Sequence, residues 1–560
     1  MKEPRWLPAA VAAPMILFVA LAVTSLIGDS QTSDEAIHLA AGFAHLTRAD
    51  FAVNPEHPPL AKELAALPLL FMNVTLPVDD PSWAAAHASA FQLPLGERFL
   101  YHNGASYRSM LIAGRLPIVA LGVLLCLTVY HFSRRLFGWQ GGLLSLWVCA
   151  LDPNILAHAR LITTDLAVSL FLLLTLFFLH HSLTADVTAR DRILTGVAAG
   201  LTLAAKYSAV IVLPAVAVVM LAATPRARAG MAAKAFAVVA AVALGTLALT
   251  YAVAGLPTYA SGLAGVFTTV TGGSEAYLLG SVSDKGWWYY YPVAVALKTP
   301  VPTLVLLAVI PFAGFKRDHL ALWIPLALFA AASLASARNV GLRHVLPLYP
   351  ILFVLAGGAA ALLTRGRVAR AAAVAGGLWL AGSTLFIHPS YLAYFNEVGG
   401  GPANGSRLLS DSNIDWGQDF IRLKALMERE AVSHILLGWY GNQDPALYGI
   451  AYQYLPSVGH IHPPDRHLVP PGRTLLAVSA MTLQGMFQRD REAYAWLRQR
   501  RPLAVVGWSI FVYDLTADGE SFQRLAGLYD RSRMPAHAAW ARDRLTRLGF
   551  DGGGLTAPGK

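Results

Sequence analysis

Charged residues and cysteine are scarce in this sequence of 560 residues. Only 14% of the residues are charged, whereas soluble domains usually carry about a quarter. The two cysteines, Cys126 and Cys149, both lie in apolar segments. The low charge implies that much of the chain faces lipid, and the cysteine positions exclude a disulfide framework or a zinc-type cysteine spacing.

Hydrophobic residues make up 56% of the chain and concentrate in long runs. The first run, Leu7–Ile27, follows Lys2 and Arg5 and by itself resembles a signal peptide, but the many later runs favour a retained helix. We therefore predict a mainly α-helical, polytopic membrane domain over residues 1–388 with about eleven transmembrane helices. The later runs are Met110–Tyr130, Leu136–Leu151, Leu161–His180, Ile193–Ala205, Val210–Ala223, Ala235–Ala254, Pro292–Phe315, Leu320–Ala335, Val345–Leu363 and Ala371–Ile387.

The distribution of positive charge predicts the orientation. The formal net charge is +10, but the cations lie between apolar runs, which argues against a nucleic-acid partner. A cytoplasmic N-terminus gives every short inside loop at least two cations, as the positive-inside rule requires. This predicts an inner (cell) membrane protein whose chain after His388 is extracytoplasmic. The inside cations are Arg134, Arg135, Arg190, Arg192, Arg226, Arg228, Lys234, Lys316, Arg317, Arg365, Arg367 and Arg370.

Three predicted outer segments are too long to be simple turns. Residues 28–109 and 255–291 form long loops, and residues 389–560 form a soluble domain. In this tail, helical patterns at Phe420–Glu430, Arg489–Arg500 and Pro535–Leu548 alternate with strand patterns at His434–Trp439, Thr474–Ser479 and Leu503–Tyr513. The alternation predicts a small α/β domain.

Ionisable residues gather at the predicted outer ends of the helices. Cations at the outer side are unexpected, because positive residues normally favour the inner side of a membrane. An anion-binding cleft explains them, because arginine and lysine bind phosphate well. A carboxylate beside such a cleft can act as a general base. The carboxylates are Asp34, Glu35 and Asp165; the basic residues are His57, Lys62, Arg160, Lys206, Lys298, Arg338, Arg343 and His344.

Each of these residues also has a structural interpretation. Ser33 is a candidate helix cap, with Asp34 and Glu35 favouring the helix N-terminus electrostatically. Asp165 is a candidate partner of Arg160, and Lys206 and Lys298 are candidates for snorkelling to the interface. The stretch from His57 to Pro59 is also typical of a rigid turn.

Several motifs resemble the GT-C class of membrane glycosyltransferases. The segment Thr32–Glu35 resembles the Asp-Glu motif of protein O-mannosyltransferases, and Asn54–Lys62 resembles their His-Pro-Pro-Leu-x-Lys segment. In the related lipid A aminoarabinose transferases a lysine takes the place of His57. Further similarities, including some to bacterial family 39 members, lie at Arg160–Asp165, Thr202–Tyr207, Lys298–Pro300, Gly341–His344 with Pro347, and Tyr391–Asp419.

The resemblance implies sugar transfer from a polyprenyl-phosphate donor to a hydroxyl of a glycan, lipid or protein acceptor, with inversion. Asp34 is then the first choice for the base, with Glu35 or Asp165 orienting the acceptor or sharing that role. The basic residues from His57 to Arg343 bind the donor phosphate. A multi-spanning transporter or flippase of a lipid-linked or anionic substrate is the alternative, although inverted repeats typical of transporters are not apparent.

The tail adds a second candidate region around Trp416. Asp411, Asn413, Asp415 and Trp416, together with His344, are candidate acceptor or sugar contacts, and the acidic side chains are also compatible with a divalent cation. The structural alternative is a helix that Asp415 caps and against which Trp416 packs. No cofactor is otherwise implied.

Overall fold

The computed structural model describes residues 3–88, 92–184, 188–313, 316, 319–457 and 468–550. The chain forms two compact units, one of Met1–Ile27 with Asp34–Gly405 and one of Gly28–Ser33 with Ser406–Lys560. The division falls later in the chain than the boundary at residue 388, which stays a prediction. Predictions for Lys2, Arg317 and both chain ends concern residues outside those described.

The first unit is mainly helical. Apolar residues form its long helices because a helix satisfies every backbone hydrogen bond within its own segment, as a membrane requires. The helices are α1 (Leu7–Leu26), α2 (Glu35–Arg48), α3 (Leu60–Ala66), α4 (Pro81–Ala88), α5 (Leu93–Tyr101), α6 (Tyr107–Ala150), α7 (Pro153–His158), α8 (Asp165–Thr184), α9 (Ala189–Ala205), α10 (Val212–Ala223), α11 (Ala229–Thr250), α12 (Leu256–Gly272), α13 (Tyr290–Lys298), α14 (Val301–Val309), α15 (Leu320–Leu334), α16 (Leu348–Ala356), α17 (Ala360–Leu363) and α18 (Gly366–Ile387).

The apolar helices identify a multi-pass membrane protein. Among the described residues, five helices (α1, α6, α8, α11 and α18) are long and apolar enough to cross a bilayer, and a sixth span results if Tyr290–Lys298 and Val301–Phe312, bent by 115°, count as one. Helix α6 has 44 residues and a non-helical backbone at Gly138. It contains the predicted run Met110–Tyr130 and all but the last residue of Leu136–Leu151, and the break at Gly138 falls near the start of the second run. The count of about eleven spans stays a prediction.

The first loop folds into helices α2 to α5. Its helices α2 and α3 pack backbone to backbone: a Cβ atom at Gly42 would lie 2.0 Å from the carbonyl oxygen of Lys62. Glycine is therefore required where the two helices touch. The second loop contains α12 and a short antiparallel pair of strands, β1 (Ala276–Leu278) and β2 (Ser281–Ser283).

The second unit is built on a five-stranded mixed sheet, which confirms the predicted α/β domain. The strand order is β4-β3-β5-β7-β6; β3 runs parallel to β4 and β5, and β7 runs antiparallel to β5 and β6. Its core includes Leu436, Val478, Leu525 and Tyr529, all buried. The elements are α20 (Phe420–Arg429), β3 (His434–Gly438), β4 (Ala451–Tyr454), β5 (Leu475–Ser479), α21 (Ala480–Leu483), β6 (Ala504–Val506), β7 (Ile510–Asp514), α22 (Gly519–Arg531) and α23 (Pro535–Arg547); the unit boundary falls within α19 (Pro402–Leu408).

Some predictions for the tail were wrong. The helix predicted over Arg489–Arg500 is a single short 3₁₀ turn at Ala495–Leu497, because the backbone there closes hydrogen bonds between residues three apart. The predicted strand Leu503–Tyr513 is divided into two strands by Gly507 and Trp508, both with positive φ. The sequence pattern also missed β4 and α22.

Candidate functional site

The ends of several helices in the first unit meet at a charged cluster. Asp165 begins α8 and is fully buried. Lys206 follows the last residue of α9, and its Nζ lies 2.5 Å from Asp165 Oδ1. Arg343 lies in a 3₁₀ turn between α15 and α16; its NH1 is 3.9 Å from Asp165 Oδ2 and 3.5 Å from Asp34 Oδ2. Asp34, Asp165, Lys206 and Arg343, termed here the carboxylate–cation cluster, therefore lie together.

Asp34 is the accessible carboxylate of this cluster. Its side chain is 29% exposed, compared with 0% for Asp165. Asp34 occupies the residue before α2, but its side chain makes no capping hydrogen bond. The prediction that Ser33 caps this helix is therefore wrong, because Asp34 occupies the capping position. The Asp34 carboxylate faces Arg343. An exposed carboxylate beside a guanidinium can accept a proton from an incoming hydroxyl.

Glu35 has a different environment from its neighbour Asp34. Both of its oxygens accept hydrogen bonds from Arg115, at 2.8 Å from Nε and 2.6 Å from NH2. Its Oε1 also accepts from the backbone N–H of Ile162 at 3.0 Å. This fully buried, bidentate pair favours a structural role for Glu35 over the predicted catalytic one. Sequence reasoning missed Arg115, although an arginine inside the apolar run Met110–Tyr130 is itself a signal.

Lys62 supports the first loop. Its Nζ donates to the carbonyl oxygens of Asn54 and His57, at 2.8 and 2.7 Å, and to Asn54 Oδ1 at 3.4 Å. Since an ammonium has three hydrogens, all three donors are engaged. Burial lowers the pKa of Lys62 to about 7. The structure thus favours a role in positioning His57 over the predicted phosphate contact.

One histidine lies close to Asp34, and a second histidine contacts the first. His38 lies one turn after it on α2, and the His38 and His57 rings meet edge to face with centroids 5.2 Å apart. Burial lowers the pKa of both imidazoles. Sequence reasoning missed His38, although the spacing of four residues on a helix places it on the same face as Asp34.

Two predicted cations lie in other contacts of the first unit. Lys298 Nζ donates to the Leu392 carbonyl oxygen at 2.7 Å. Arg160 NH1 donates to the Ser25 carbonyl oxygen at 3.2 Å, and its guanidinium lies 5.9 Å from the centroid of the Tyr391 ring. Asp165 therefore pairs with Lys206 rather than with Arg160. These contacts give Arg160 and Lys298 roles in connecting chain segments.

Arg338 and His344 flank Arg343 in sequence. The Arg338 carbonyl oxygen accepts a hydrogen bond from the Tyr291 hydroxyl at 2.6 Å, and the His344 ring lies 6.5 Å from that tyrosine ring. Arg338 Nε and His344 Nε2 are buried and have no hydrogen-bond partner among the described residues. Both side chains therefore retain polar atoms for a ligand beside the carboxylate–cation cluster.

The tail candidates are buried within the second unit. Asp411 Oδ1 accepts from the N–H of Ser412, Asn413 donates to the Ser410 carbonyl oxygen, and Trp416 is 2% exposed. Asp415 accepts from backbone N–H groups of Gly417 and Met481. Asp415 does not cap the helix that follows it, because α20 begins only at residue 420. The structure gives this segment the bonding of a folded loop rather than of a ligand surface.

No cluster of three or more His, Cys, Asp or Glu side chains suited to a metal ion occurs within the described ranges. The carboxylate–cation cluster contains two carboxylates, and each faces a side-chain cation. The compatibility with a divalent cation inferred from the sequence stays a prediction.

The family model of dolichyl-phosphate-mannose-protein mannosyltransferases matches residues 108–252. This segment contains Arg115, Asp165 and Lys206. The match confirms the resemblance to the mannosyltransferases predicted from the motifs, and it supports a glycosyltransferase. A comparison with curated proteins finds no match.

Solved structures of other proteins are similar to this chain at low identity. ArnT from Cupriavidus metallidurans bound to undecaprenyl phosphate has a TM-score of 0.49 and 13% identity, covering 92% of this chain and 98% of its own. The archaeal oligosaccharyltransferase AglB from Archaeoglobus fulgidus, in complex with an inhibitory peptide and a dolichol-phosphate, has a TM-score of 0.46 and 13% identity. That alignment covers 69% of this chain and 55% of AglB.

Proposed function

We propose that this protein is a membrane glycosyltransferase. It transfers a sugar from a polyprenyl-phosphate donor to a hydroxyl of a glycan, lipid or protein acceptor at the outer face of the membrane, with inversion. The observation that carries the proposal is the carboxylate–cation cluster, in which Arg343 lies between the accessible Asp34 and the buried Asp165. The family match over residues 108–252 supports the lipid-phosphate sugar as donor.

The residues of the cluster divide the chemistry into two tasks. Asp34 accepts the proton of the acceptor hydroxyl, and the resulting oxygen nucleophile attacks the anomeric carbon on the face opposite the phosphate. The new glycosidic C–O bond forms as the bond to the phosphate oxygen breaks. Polyprenyl phosphate leaves with the electron pair, and its charge is stabilised by Arg343 and Lys206. The leaving group is already an anion, so it needs no acid.

Asp165 controls how much positive charge the donor meets. Its Oδ1 lies 2.5 Å from Lys206 Nζ, and its Oδ2 lies 3.9 Å from Arg343 NH1. A buried carboxylate between two cations fixes their positions while it offsets part of their charge. Asp165 is therefore proposed to orient the phosphate-binding cations, and Asp34 is proposed as the base.

The position of the charges favours an enzyme over the transporter or flippase considered above. Asp165 is the first residue of a helix, Lys206 follows a helix end, and Arg343 lies in a turn between two helices. Transport sites are expected near the middle of the bilayer, in broken helices. Charges at helix ends suit a reaction on a lipid headgroup, with the acceptor arriving from water.

A transfer assay tests the proposal. The purified full-length chain in lipid vesicles is given a panel of polyprenyl-phosphate hexoses and pentoses with a radiolabelled sugar. Envelope fractions from cells lacking the gene serve as acceptor. We expect labelled product and released polyprenyl phosphate with one donor, and mass spectrometry of envelope glycans and glycoproteins from cells with and without the gene should show the same sugar. Absence of transfer with every donor, together with unchanged envelopes, would contradict the proposal.

The proposed orientation has its own test. Single cysteines at positions 187 and 552, placed in a chain whose native Cys126 and Cys149 are replaced by alanine, are labelled with an impermeant thiol reagent in intact cells. We expect labelling at position 552 only, since the N-terminus and the loop at position 187 are predicted to be cytoplasmic. Labelling at position 187 alone would invert the topology and place the cluster on the inner face.

A further inference from the structure

We propose that His38 forms a subsite for one hydroxyl of the transferred sugar, and that this hydroxyl donates a hydrogen bond to His38 Nε2. This inference rests on the proposed glycosyltransferase function and names a substrate group that the carboxylate–cation cluster does not recognise. The observation that carries it is a buried imidazole whose two nitrogens have different environments.

The tautomer of His38 follows from its one hydrogen bond. Its Nδ1 lies 2.7 Å from the carbonyl oxygen of Ile162. A carbonyl oxygen only accepts, so Nδ1 carries the hydrogen. Burial lowers the pKa of His38, and the positive charges of Lys62 and Arg343 act in the same direction against the opposing effect of Asp34. A neutral ring with its hydrogen on Nδ1 presents a lone pair at Nε2.

Nε2 is an acceptor that the fold leaves without a donor. His38 is 2% exposed, and among the described residues Nε2 has no hydrogen-bond partner. A buried acceptor without a donor destabilises the fold, and such groups in native proteins often have a functional explanation. His38 lies one turn after Asp34 and contacts the ring of His57. A hydroxyl bound at Nε2 would thus be held by a residue one helical turn from the proposed base.

The chemistry of the reaction selects which hydroxyl this is. The acceptor hydroxyl has a single hydrogen, and in the proposed mechanism that hydrogen goes to Asp34. The transferred sugar has several hydroxyls that take no part in bond making. As the anomeric carbon becomes positive in the transition state, hydrogen bonds from a neighbouring sugar hydroxyl strengthen. A neutral imidazole suits this task because it accepts without adding positive charge.

Two substitutions distinguish the contributions of the two ring nitrogens of His38. His38→Asn retains an amide N–H near Nδ1 to donate to Ile162 but has no atom at the position of Nε2. His38→Gln reaches further and places an amide oxygen close to Nε2. The matched control is His45→Asn: His45 lies on the same helix, is also buried, and its Nε2 contacts the Val53 carbonyl oxygen at 3.3 Å.

The assay compares the donor sugar found in the transfer assay with its monodeoxy analogues. For the unaltered chain, removing one particular hydroxyl should lower kcat/KM about tenfold to a hundredfold. His38→Asn should show a similar loss with the full donor and no further loss with that deoxy donor. His38→Gln should recover part of the activity, and His45→Asn should keep the deoxy discrimination. Affinity for undecaprenyl phosphate alone, which has no sugar, should change less than twofold in His38→Asn.

The outcomes distinguish this inference from the proposed function. If the unaltered chain transfers sugar and His38→Asn still discriminates every deoxy donor as before, the subsite is not at His38. If His38→Asn also loses affinity for undecaprenyl phosphate, His38 supports the fold of the site and the subsite inference fails. If the unaltered chain transfers nothing, the proposed function fails first.

Discussion

The molecule contains two acid-rich regions that differ in the partners of their carboxylates. In the first unit, Asp34 and Asp165 face the side-chain cations Arg343 and Lys206. In the second unit, Asp411 and Asp415 accept hydrogen bonds from backbone N–H groups of neighbouring chain segments. Both regions are candidate sites from the sequence. The partners of their carboxylates in the structure distinguish the two.

The two regions differ in whether the partners of the carboxylates are fixed backbone groups or movable side chains. Backbone N–H groups cannot move away from a carboxylate without unfolding a loop, so the acids of the second unit stabilise their own segment. Long cationic side chains can exchange a carboxylate for a phosphate. A reactive site therefore needs charges held by side chains, as in the first unit, whereas acids held by the backbone indicate structure.

The largest effect is expected at Asp34. Asp34→Asn should lower the transfer rate by about a hundred- to ten-thousand-fold, because a general base contributes about that much. The change preserves size, and the exposed side chain makes no capping bond, so thermal stability should stay unchanged. The rate is measured in the radiolabel assay at saturating donor.

Asp165→Asn is the comparison within the same cluster. Removing this buried carboxylate leaves Lys206 and Arg343 without their counter-charge, so we expect altered affinity for undecaprenyl phosphate and a loss of stability. If Asp165→Asn abolishes transfer with unchanged phosphate affinity and stability, while Asp34→Asn transfers at the normal rate, the two roles are reversed.

Replacing Glu35, the neighbour of Asp34, should lower the stability of the fold rather than act on the chemical step of transfer. Glu35→Gln leaves the Arg115 guanidinium buried without its charge partner, and breaking a buried pair in this way costs about 3–5 kcal/mol. The measurement is the thermal unfolding midpoint in detergent. Replacing Arg115 by methionine in the same chain should recover part of the loss. A stable Glu35→Gln variant with no transfer activity would show instead that Glu35 belongs to the catalytic group.

Much of the helical framework could be predicted because long apolar runs have few alternatives in a membrane. The joint location of Asp34, Asp165 and Arg343 could be anticipated from topology, since the positive-inside rule assigns all three to one side. The pairing of Glu35 with Arg115 could not, because topology gives the side of the membrane but not which charged side chains on that side form a pair. Likewise, nothing in the Lys62 sequence context shows that its ammonium is enclosed by carbonyl oxygens.

In the second acidic region, Asp415 should affect the pH dependence of stability and not the transfer rate. Burial raises the pKa of Asp415 to about 7, against hydrogen bonds from Ser479 and Met481 that lower it. An aspartate in an unfolded chain has a pKa of about 4. The folded state therefore binds the proton more tightly, so the stabilisation is full below about pH 4 and is lost as the pH rises towards 7. Transfer at fixed pH should be unaffected by Asp415→Asn.

Asp415→Asn removes this titration, and Asp518→Asn provides a control of opposite sign. Partial burial raises the pKa of Asp518, but hydrogen bonds from Ser521 and the charge of Arg500 lower this pKa overall. The stabilisation that Asp518 contributes is therefore present above about pH 4 and is lost below that pH. Stability is followed by hydrogen exchange at Leu436 and Leu476 in the core strands. Between pH 4 and 7 the unaltered chain should lose up to about 4 kcal/mol relative to Asp415→Asn, since each pKa unit corresponds to about 1.4 kcal/mol. A pH-independent difference would show that Asp415 is ionised in the folded state, and its carboxylate would then have to be counted with the charged acids of the first unit.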